Sequence, residues 1–293
     1  VGVVTWVGEG PLYLAKEKGF YEGLDVEISI IDDAVGRRAA LARGSIHAMA
    51  ATVDDFANAV AAGLPAVAVL KQDDSYGGDG IIATSDIKTV ADLKGKTVAF
   101  PQGMPSHFFL LHALQKHGLT SKDITPKYME AGEAGAAFVA GKVDAACTWE
   151  PWLSKASERE GGHVLMTTKD APGLIADIIV VNKDVLAKRP EDVKKLMKGW
   201  FAAVEYWRDN QEEANQLMAK SLNLPIDDWN GMIQGIKYAD LTENLRYFGV
   251  GAEGSPFAGV FDEAGKIWAA EGLAAKSVRA EDFVDPSFVK QLQ

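Results

Sequence analysis

Short apolar runs alternate with longer amphipathic segments through roughly the first 180 residues. A glycine directly follows most of the amphipathic segments, where a helix favours a left-handed C-cap residue. The predicted strands are 3–6, 26–31, 47–51, 66–70, 80–84, 97–100, 127–130, 145–148, 164–167 and 178–182. The predicted helices are 11–18, 36–43, 54–62, 106–117, 133–140 and 151–160. Strand and helix alternating at this spacing indicate βαβ units and mainly parallel sheets.

From residue 190 onward the pattern changes to one helix after another. Residues 190–209 begin with a proline and carry apolar side chains at helical spacing, including Val193, Leu196, Trp200 and Val204. Further helices are predicted at 211–221, 225–234, 242–248 and 256–270. No strand alternation is found after residue 182, so we expect a helical C-terminal tail.

Residues 39–52 and 136–149 repeat one pattern. Each segment contains the end of a helix, a capping glycine, a short polar step, a strand of small residues and the start of another helix. The repeat is either a chance similarity between two αβ units or the sign of two lobes with one plan. On the second interpretation, lobe 1 comprises 1–84 plus 183–293 and lobe 2 comprises 85–182. Two chain crossings would then form a two-stranded hinge.

Composition narrows the classes of protein. The 293 residues are 47% hydrophobic, enough to form two domains with full cores. The net charge of −11 argues against nucleic acid and anionic membranes as partners. No apolar run reaches the ~20 residues that a membrane span needs, and no signal peptide is recognisable. Because the chain starts almost inside a strand, we interpret its N-terminus as trimmed.

Cys147 is the single cysteine of the chain. One thiol forms no internal disulfide, and no cysteine–histidine spacing typical of a metal site is present. We expect Cys147 to be a small buried residue in a strand, and we expect neither a metal nor a cofactor. A single cysteine fits a cytosolic protein, and it equally fits a periplasmic protein that avoids cysteine.

Several segments resemble one known family. Residues 5–15 (TWVGEGPLYLA) and 18–21 (KGFY) are similar to the opening of the nitrate/sulfonate/taurine-type periplasmic binding proteins, which include binders of thiamine-pyrimidine precursors. Four later segments also resemble the family's motifs: 73–80 (DDSYGGDG), 93–99 (LKGKTVA), 141–145 (GKVDA) and 149–152 (WEPW). The resemblance runs over most of the chain, and its order and spacing are more specific than any single motif.

The resemblance implies an α/β fold of the type II periplasmic-binding-protein class, with two βαβ lobes around a cleft. It also implies delivery of a small solute to an ABC permease in the inner membrane, driven by a separate ATPase. The chain itself contains no phosphate-binding Gly-x-x-x-x-Gly-Lys-Ser/Thr loop. We therefore expect a monomeric binding protein, periplasmic or lipid-anchored outside the cytoplasm.

In such sheets, ligands bind beyond the carboxyl ends of the strands, where helices begin and present free N–H groups. In lobe 1 we predict a site made by Trp6, Gly10, Pro11, Thr52 and Asp54. Trp6 offers a flat wall or packs in the core, and Gly10 permits close backbone approach. Thr52 caps a helix, and Asp54 either binds ligand or complements the helix dipole.

The predicted partners in lobe 2 are Ser106, His107, Trp149, Glu150 and Asp177. Ser106 and the N–H groups beyond it suit an oxyanion, and His107 is a further donor or an exposed residue in the first turn. Trp149 is predicted to stack on the ligand. Glu150 either binds a positive or N–H-bearing group or serves the helix dipole. Asp177 either binds ligand or locks the hinge.

Helix N-termini attract anions, whereas the carboxylates and tryptophans attract cations. A zwitterionic aminosulfonate such as taurine fits both halves best. A pyrimidine or small cation fits the second half, and nitrate alone leaves the carboxylates unexplained. An enzyme or a sensor domain on the same fold is the alternative class. No nucleophile with an adjacent base is evident from the spacing, so we predict binding without catalysis.

Overall fold

Two mixed β-sheets with helices packed on them make up the protein. The structure, a computed structural model, describes residues 1–251, 254–274, 276 and 278–293. The strands are β1 (Gly2–Val3), β2 (Ser29–Ile30), β3 (Ala48–Thr52), β4 (Ala66–Ser75), β5 (Asp79–Thr84), β6 (Thr97–Phe100), β7 (Thr125–Tyr128), β8 (Ala145–Trp149), β9 (Gly162–Thr167), β10 (Ala176–Asn182) and β11 (Ile236–Tyr238). The α-helices are α1 (Gly10–Glu17), α2 (Ala34–Arg43), α3 (Val53–Ala61), α4 (Pro105–Lys116), α5 (Ala131–Val139), α6 (Lys183–Lys188), α7 (Pro190–Asp209), α8 (Gln211–Ser221), α9 (Ile226–Met232), α10 (Leu241–Tyr247), α11 (Pro256–Ala270) and α12 (Pro286–Lys290).

The two sheets follow the same plan. The strand order is β11-β4-β10-β3-β1-β2 in the first sheet and β7-β6-β8-β5-β9 in the second. β1 pairs parallel with β2 and β3, and β6 pairs parallel with β7 and β8. β10 is inserted antiparallel between β3 and β4, as β5 is between β8 and β9. The expectation of mainly parallel pairing is therefore wrong at β5 and β10, because the chain enters each of these strands from the other sheet. It is also wrong at β11, which pairs antiparallel with β4.

The chain crosses between the sheets twice, at 76–78 and at 168–175. The predicted lobe limits at 84 and 182 place β5 with the first sheet and β10 with the second, whereas the pairing places each in the opposite sheet. Both strands are apolar, and hydrophobicity alone does not say with which sheet a strand pairs. We propose lobes of 1–77 plus 173–293 and of 78–172.

The sequence repeat coincides with a repeat of structure. β3 and β8 are both five residues long and start four residues after the left-handed Gly44 and Gly141. α2 precedes β3, and α5 precedes β8. Since both strands lie beside the inserted antiparallel strand of their sheet, the two segments occupy equivalent positions.

Four elements differ from the sequence predictions. Residues 151–160 form no α-helix, and a 3₁₀ segment spans Ser154–Glu158 instead. The Glu150 carboxylate accepts hydrogen bonds from the Ser154 N–H and hydroxyl, at 3.1 and 2.9 Å, and so competes with helical pairing at this point. β11 was not predicted, because three residues are too few to show alternation. α6 and α12 are short additional helices.

The helical tail docks on the first sheet through buried tryptophans. Trp200 and Trp268 are fully buried, and their indole N–H groups donate to the carbonyls of Ala239 and Asp54 at 3.0 and 2.9 Å. These bonds satisfy the polar end of each indole while its rings fill the core. In the part of the chain that the structure describes, no helix is long and apolar enough to span a membrane.

Candidate functional site

A cavity of about 420 Å³ lies where the strand ends of the two sheets meet. Val4–Trp6 after β1 and Ala50–Thr52 at the end of β3 line it from the first sheet, and Trp149 at the end of β8 lines it from the second. Its size is in the range of small-molecule sites. The position is the one that the βαβ plan predicts for a ligand.

Three helices begin at the cavity wall. Thr52 precedes α3, Met104 and Pro105 begin α4, and Glu130–Gly132 begin α5. The first N–H groups of a helix have no intrahelical acceptor, and the helix dipole places a partial positive charge there. These starts come from elements of both sheets and point to the binding of an anionic group between them.

Five of the predicted site residues line the cavity. They are Trp6, Thr52, Trp149, Glu150 and Asp177. The Trp6 indole is 7% exposed and fits over Gly8 and Gly78, where a side chain would collide with it. The Thr52 hydroxyl is buried and has no hydrogen-bond partner within the described chain. Such an unpaired hydroxyl in a cavity wall is available to a ligand.

The other five predicted residues lie outside the cavity wall: Gly10, Pro11, Asp54, Ser106 and His107. Gly10 packs against Met218 and Trp229 of the tail, and Pro11 is the buried second residue of α1. At the helix starts, the residues in the wall are Asp55 and Pro105 rather than their neighbours Asp54 and Ser106. Consecutive helical residues point about 100° apart, so a shift of one position decides which side chain faces the ligand.

His107 serves the structure of the α4 start. Its Nδ1 accepts a hydrogen bond from the Gly103 N–H at 3.1 Å, and its ring stacks on Phe100 at 4.7 Å. Trp268 of the tail lies 5.5 Å from the same ring. Burial lowers the pKa of His107 to about 4, so the imidazole is neutral near pH 7.

Arg37 is a cavity-lining residue that the sequence reasoning missed. It is 4% exposed and lines the cavity. Its Nε donates to the Ala50 carbonyl at 3.2 Å, and Nη1 donates to the Ile31 carbonyl at 2.6 Å. Nη1 also lies 3.4 Å from the Asp32 carbonyl, whereas Nη2 has no hydrogen-bond partner within the described chain. Arg37 lies within α2, and its long side chain reaches back to the strand ends, whereas the prediction considered only the loops after strands.

The tail also contributes to the wall. Leu224, Asp228 and Met232 line the cavity beside the strand ends. They belong to α9 and the segment before it, where the sequence reasoning placed no ligand contacts. The periodicity of a sequence reports local structure, so it does not show that the tail lies close to the cavity.

Carboxylates dominate the charged lining. Seven line the cavity: Asp32, Asp55, Asp79, Glu130, Glu150, Asp177 and Asp228. Asp55 forms an ion pair with Arg38. Burial raises the pKa of Asp79 to about 6, and burial together with the nearby Asp73 raises the pKa of Asp177 well above its usual range. The cavity wall thus combines these carboxyl groups with the Arg37 guanidinium and the helix starts.

Behind the lining, further carboxyl groups are buried. Glu9 accepts a hydrogen bond from Gln72 at 2.8 Å, yet burial raises its pKa to about 8. Burial and the adjacent Asp55 raise the pKa of Asp54 to about 7. In the described chain, no group of three or more histidine, cysteine or acidic residues has an arrangement suited to a metal ion.

Two sheets that share two crossings, with a ligand-sized cavity between their strand ends, define the type II periplasmic-binding-protein fold, as predicted. The crystal structure of the periplasmic aliphatic sulphonate binding protein SsuA from Escherichia coli matches it with a TM-score of 0.81 at 24% identity, over 99% of both chains. The alkanesulfonate-binding protein SsuA from Xanthomonas axonopodis pv. citri, solved bound to MOPS, matches with a TM-score of 0.77 at 22% identity, over 97% of both chains. The predicted fold is confirmed.

The chain belongs to the NMT1/THI5-like family, whose profile matches residues 8–214. A protein of Escherichia coli that carries the name aliphatic sulfonates-binding protein is 39% identical over 151 residues. That alignment covers 50% of this chain and 45% of the relative, so the chain spans less than half of that protein's length. The family resemblance read from the sequence motifs is confirmed.

Proposed function

We propose that the protein is the solute-binding component of an ABC importer and that it binds a small alkyl sulfonate, such as taurine, in the cavity. The observation that carries the proposal is a wall built from both sheets, in which three helix starts and the Arg37 guanidinium converge. Guanidinium and helix N–H groups are strong donors to oxyanions. Family membership and the names of the relatives support the same class of ligand.

Binding at this place gives a simple transport mechanism. A ligand held by both sheets stabilises whichever arrangement brings all of its contacts together, so it shifts the protein toward the closed state. The closed protein would then be presented to an inner-membrane permease. We place the protein outside the cytoplasm, in the periplasm or on a lipid anchor, and expect it to act as a monomer without a nucleic-acid partner.

We propose binding without catalysis. Cys147 is buried, its Sγ donates to the Ser106 carbonyl at 3.0 Å, and burial raises the pKa of its thiol. The Ser106 hydroxyl is buried without a partner in the described chain, and the Nδ1 of His107 is occupied by Gly103. A nucleophile needs an adjacent base, and neither group has that geometry here.

The test is a calorimetric panel on protein freed of bound solute by unfolding, dialysis and refolding. Ethanesulfonate, taurine and MOPS represent sulfonates, and nitrate and an aminopyrimidine represent the competing ligand classes. We expect at least one sulfonate to bind, and Arg37→Gln to weaken it tenfold or more because a buried donor to the anion is lost.

Arg43→Gln is the matched control, since Arg43 is exposed at the end of the same helix. Arg37→Lys retains the positive charge and should bind better than Arg37→Gln; circular dichroism shows whether each variant is folded. Binding of nitrate or the pyrimidine, with no response to any sulfonate, would refute the proposal.

A further inference from the structure

Helix α11 of the tail contacts both lobes. Its Trp268 indole N–H donates to the Asp54 carbonyl at the start of α3, at 2.9 Å, and this bond ties the helix to lobe 1. The same helix packs against α4 of lobe 2, whose Ser106 carbonyl accepts from the Cys147 thiol of β8 at 3.0 Å. The lobes are therefore joined by a contact between two helices as well as by the crossings of the chain.

An aromatic cluster forms one end of this contact. The ring of Trp268 lies 5.5 Å from the ring of His107 and 5.9 Å from the ring of Phe108, measured between centroids. Trp268 and Phe108 are fully buried. Large aromatic side chains contribute much of the favourable free energy of the interfaces in which they are buried. Separating α4 from α11 would expose these rings to water and would therefore be unfavourable.

A hydrogen bond forms the other end of the contact. The Nδ1–H of His112 donates to the carboxylate of Glu263 at 2.6 Å. The chain runs from His107 to His112 along α4 and from Trp268 back to Glu263 along α11, so the two helices are antiparallel here. His112 is 8% exposed, whereas the side chain of Glu263 is 43% exposed. The bond thus lies at the surface edge of a contact whose other end is buried.

This contact is separate from the solute cavity. His107, Phe108, His112, Glu263 and Trp268 all lie outside the cavity wall. A contact between lobes acts on the balance between their closed and open arrangements. The apparent affinity for a ligand depends on the fraction of the protein in the arrangement that binds it. Residues of this contact can therefore change the affinity for a solute that they do not touch.

We propose that the contact between α4 and α11 is a latch, which forms when the lobes close on the solute and breaks when they part. In the structure the latch is formed. Because the solute leaves only when the lobes part, breaking the latch is a step in its release, and the latch lengthens the time for which the solute stays bound. This inference rests on the proposed function, since it requires lobes that close on a solute.

Two substitutions remove the hydrogen bond from opposite lobes. Glu263→Ala changes a partly exposed side chain, and His112→Ala removes the donor. We expect each to raise the Kd of the tightest-binding sulfonate among ethanesulfonate, taurine and MOPS by about threefold or more, because the bond is lost from the closed state alone. The dissociation rate, measured by stopped-flow fluorescence, should rise with it. The double variant should bind no more weakly than the weaker single variant, since both remove the same bond.

Asp262→Asn is the matched control, because Asp262 is an exposed acidic neighbour on α11. It should change the Kd and the dissociation rate by less than about twofold, as surface substitutions usually do. Circular dichroism shows whether each variant is folded. If His112→Ala does not fold, Glu263→Ala and Glu263→Gln provide the comparison, and Glu263→Gln should fall between Glu263→Ala and the wild type because an amide oxygen still accepts the bond.

The distance between the lobes tests the latch without reference to affinity. Spin labels are attached at Glu212→Cys on α8 of lobe 1 and at Lys142→Cys of lobe 2, both exposed positions, while the native Cys147 is buried. Electron paramagnetic resonance then gives the distribution of distances between the labels. We expect Glu263→Ala to shift the distribution of the ligand-free protein toward longer distances and to leave the distance at saturating sulfonate unchanged.

The outcomes separate this inference from the proposed function. Unchanged Kd, dissociation rate and label distances in Glu263→Ala would show that α4 and α11 stay together throughout, and the latch would be overturned. A loss of affinity with an unchanged distribution in the ligand-free protein would overturn it as well. If no sulfonate binds, the proposed function fails, and the ligand-free distances then decide: a shift toward longer distances supports the latch, and no shift overturns it.

Discussion

Trp149 stands at the point where the second sheet meets the cavity. It ends β8, is half-buried and lines the cavity, whereas the nearby Trp152 packs against Gly135 of α5. Tryptophans in binding sites are often residues that carry a large share of the binding energy.

We expect Trp149→Ala to weaken sulfonate binding by about 1–3 kcal/mol while the protein remains folded, because a stacking wall of the site is lost. Titration calorimetry measures the affinity, and circular dichroism checks the fold. Trp152→Ala is the matched control and should change the affinity less than twofold. Unchanged binding by Trp149→Ala would show that the site has been placed wrongly.

Trp6, Thr52 and Trp149 were chosen from the sequence because they stand at strand ends, and all three line the cavity, although the Thr52 side chain makes no capping hydrogen bond. At two helix starts the residue that lines the cavity is one position away from the predicted one, Asp55 beside Asp54 and Pro105 beside Ser106. The choice depends on the rotation of the helix about its axis, which packing sets. Arg37 was missed because a long side chain acts far from its own position in the chain.

At the scale of elements, buried carboxyls gather where three segments meet behind the cavity. Glu9 precedes α1, Asp73 lies on β4 and Asp177 on β10. The nearby charge of Asp177 adds to the effect of burial in raising the pKa of Glu9. Groups with raised carboxyl pKa values retain protons in the native state that the unfolded state has already released, so the native state loses stability as the pH rises.

We expect the free energy of unfolding to fall as the pH rises from about 4.5 to about 8, the usual and native pKa values of Glu9. Each such group contributes a slope of up to about 1.4 kcal/mol per pH unit within its own window. Glu9→Gln should reduce that slope and be more stable than the wild type at pH 8. Urea unfolding at pH 5, 6.5 and 8 measures the effect.

Glu17→Gln, at an exposed position on α1, is the control. Its free energy of unfolding should change with pH as that of the wild type does. If Glu9→Gln and the wild type have the same dependence on pH, Glu9 is ionised in the native protein across this range, and the buried carboxyl cluster has been interpreted wrongly.

The elements themselves differ in how well the sequence predicts them. α7, α8 and α11 begin and end at the predicted residues. Each has a long apolar stripe with a clear start, a proline in α7 and α11 and a preceding asparagine in α8, and polar residues follow its end. The segment 151–160 looked helical by periodicity, but a local bond from Ser154 to the Glu150 side chain replaces helical pairing. β11 exists through its pairing with β4, a long-range contact.

At the scale of the whole molecule, two sheets of the same plan exchange one strand each, β5 and β10. Hydrogen bonds join the two segments in which the chain crosses from one sheet to the other. The Ser75 and Thr168 hydroxyls lie 2.9 Å apart, and the Gly77 N–H donates to Thr168 at 2.7 Å. The repeat at 39–52 and 136–149 was visible in the sequence, and it correctly indicated two similarly built halves. The exact crossing points were not visible, because they depend on strand exchange between the sheets.

The most direct measurement is a crystal structure of the protein with a sulfonate bound at saturating concentration. We predict that the sulfonate oxygens contact Arg37 and the helix starts, with residues of both sheets, including Trp6 and Trp149, around the ligand. A sulfonate found elsewhere on the protein, or held by residues of one sheet alone, would contradict the account.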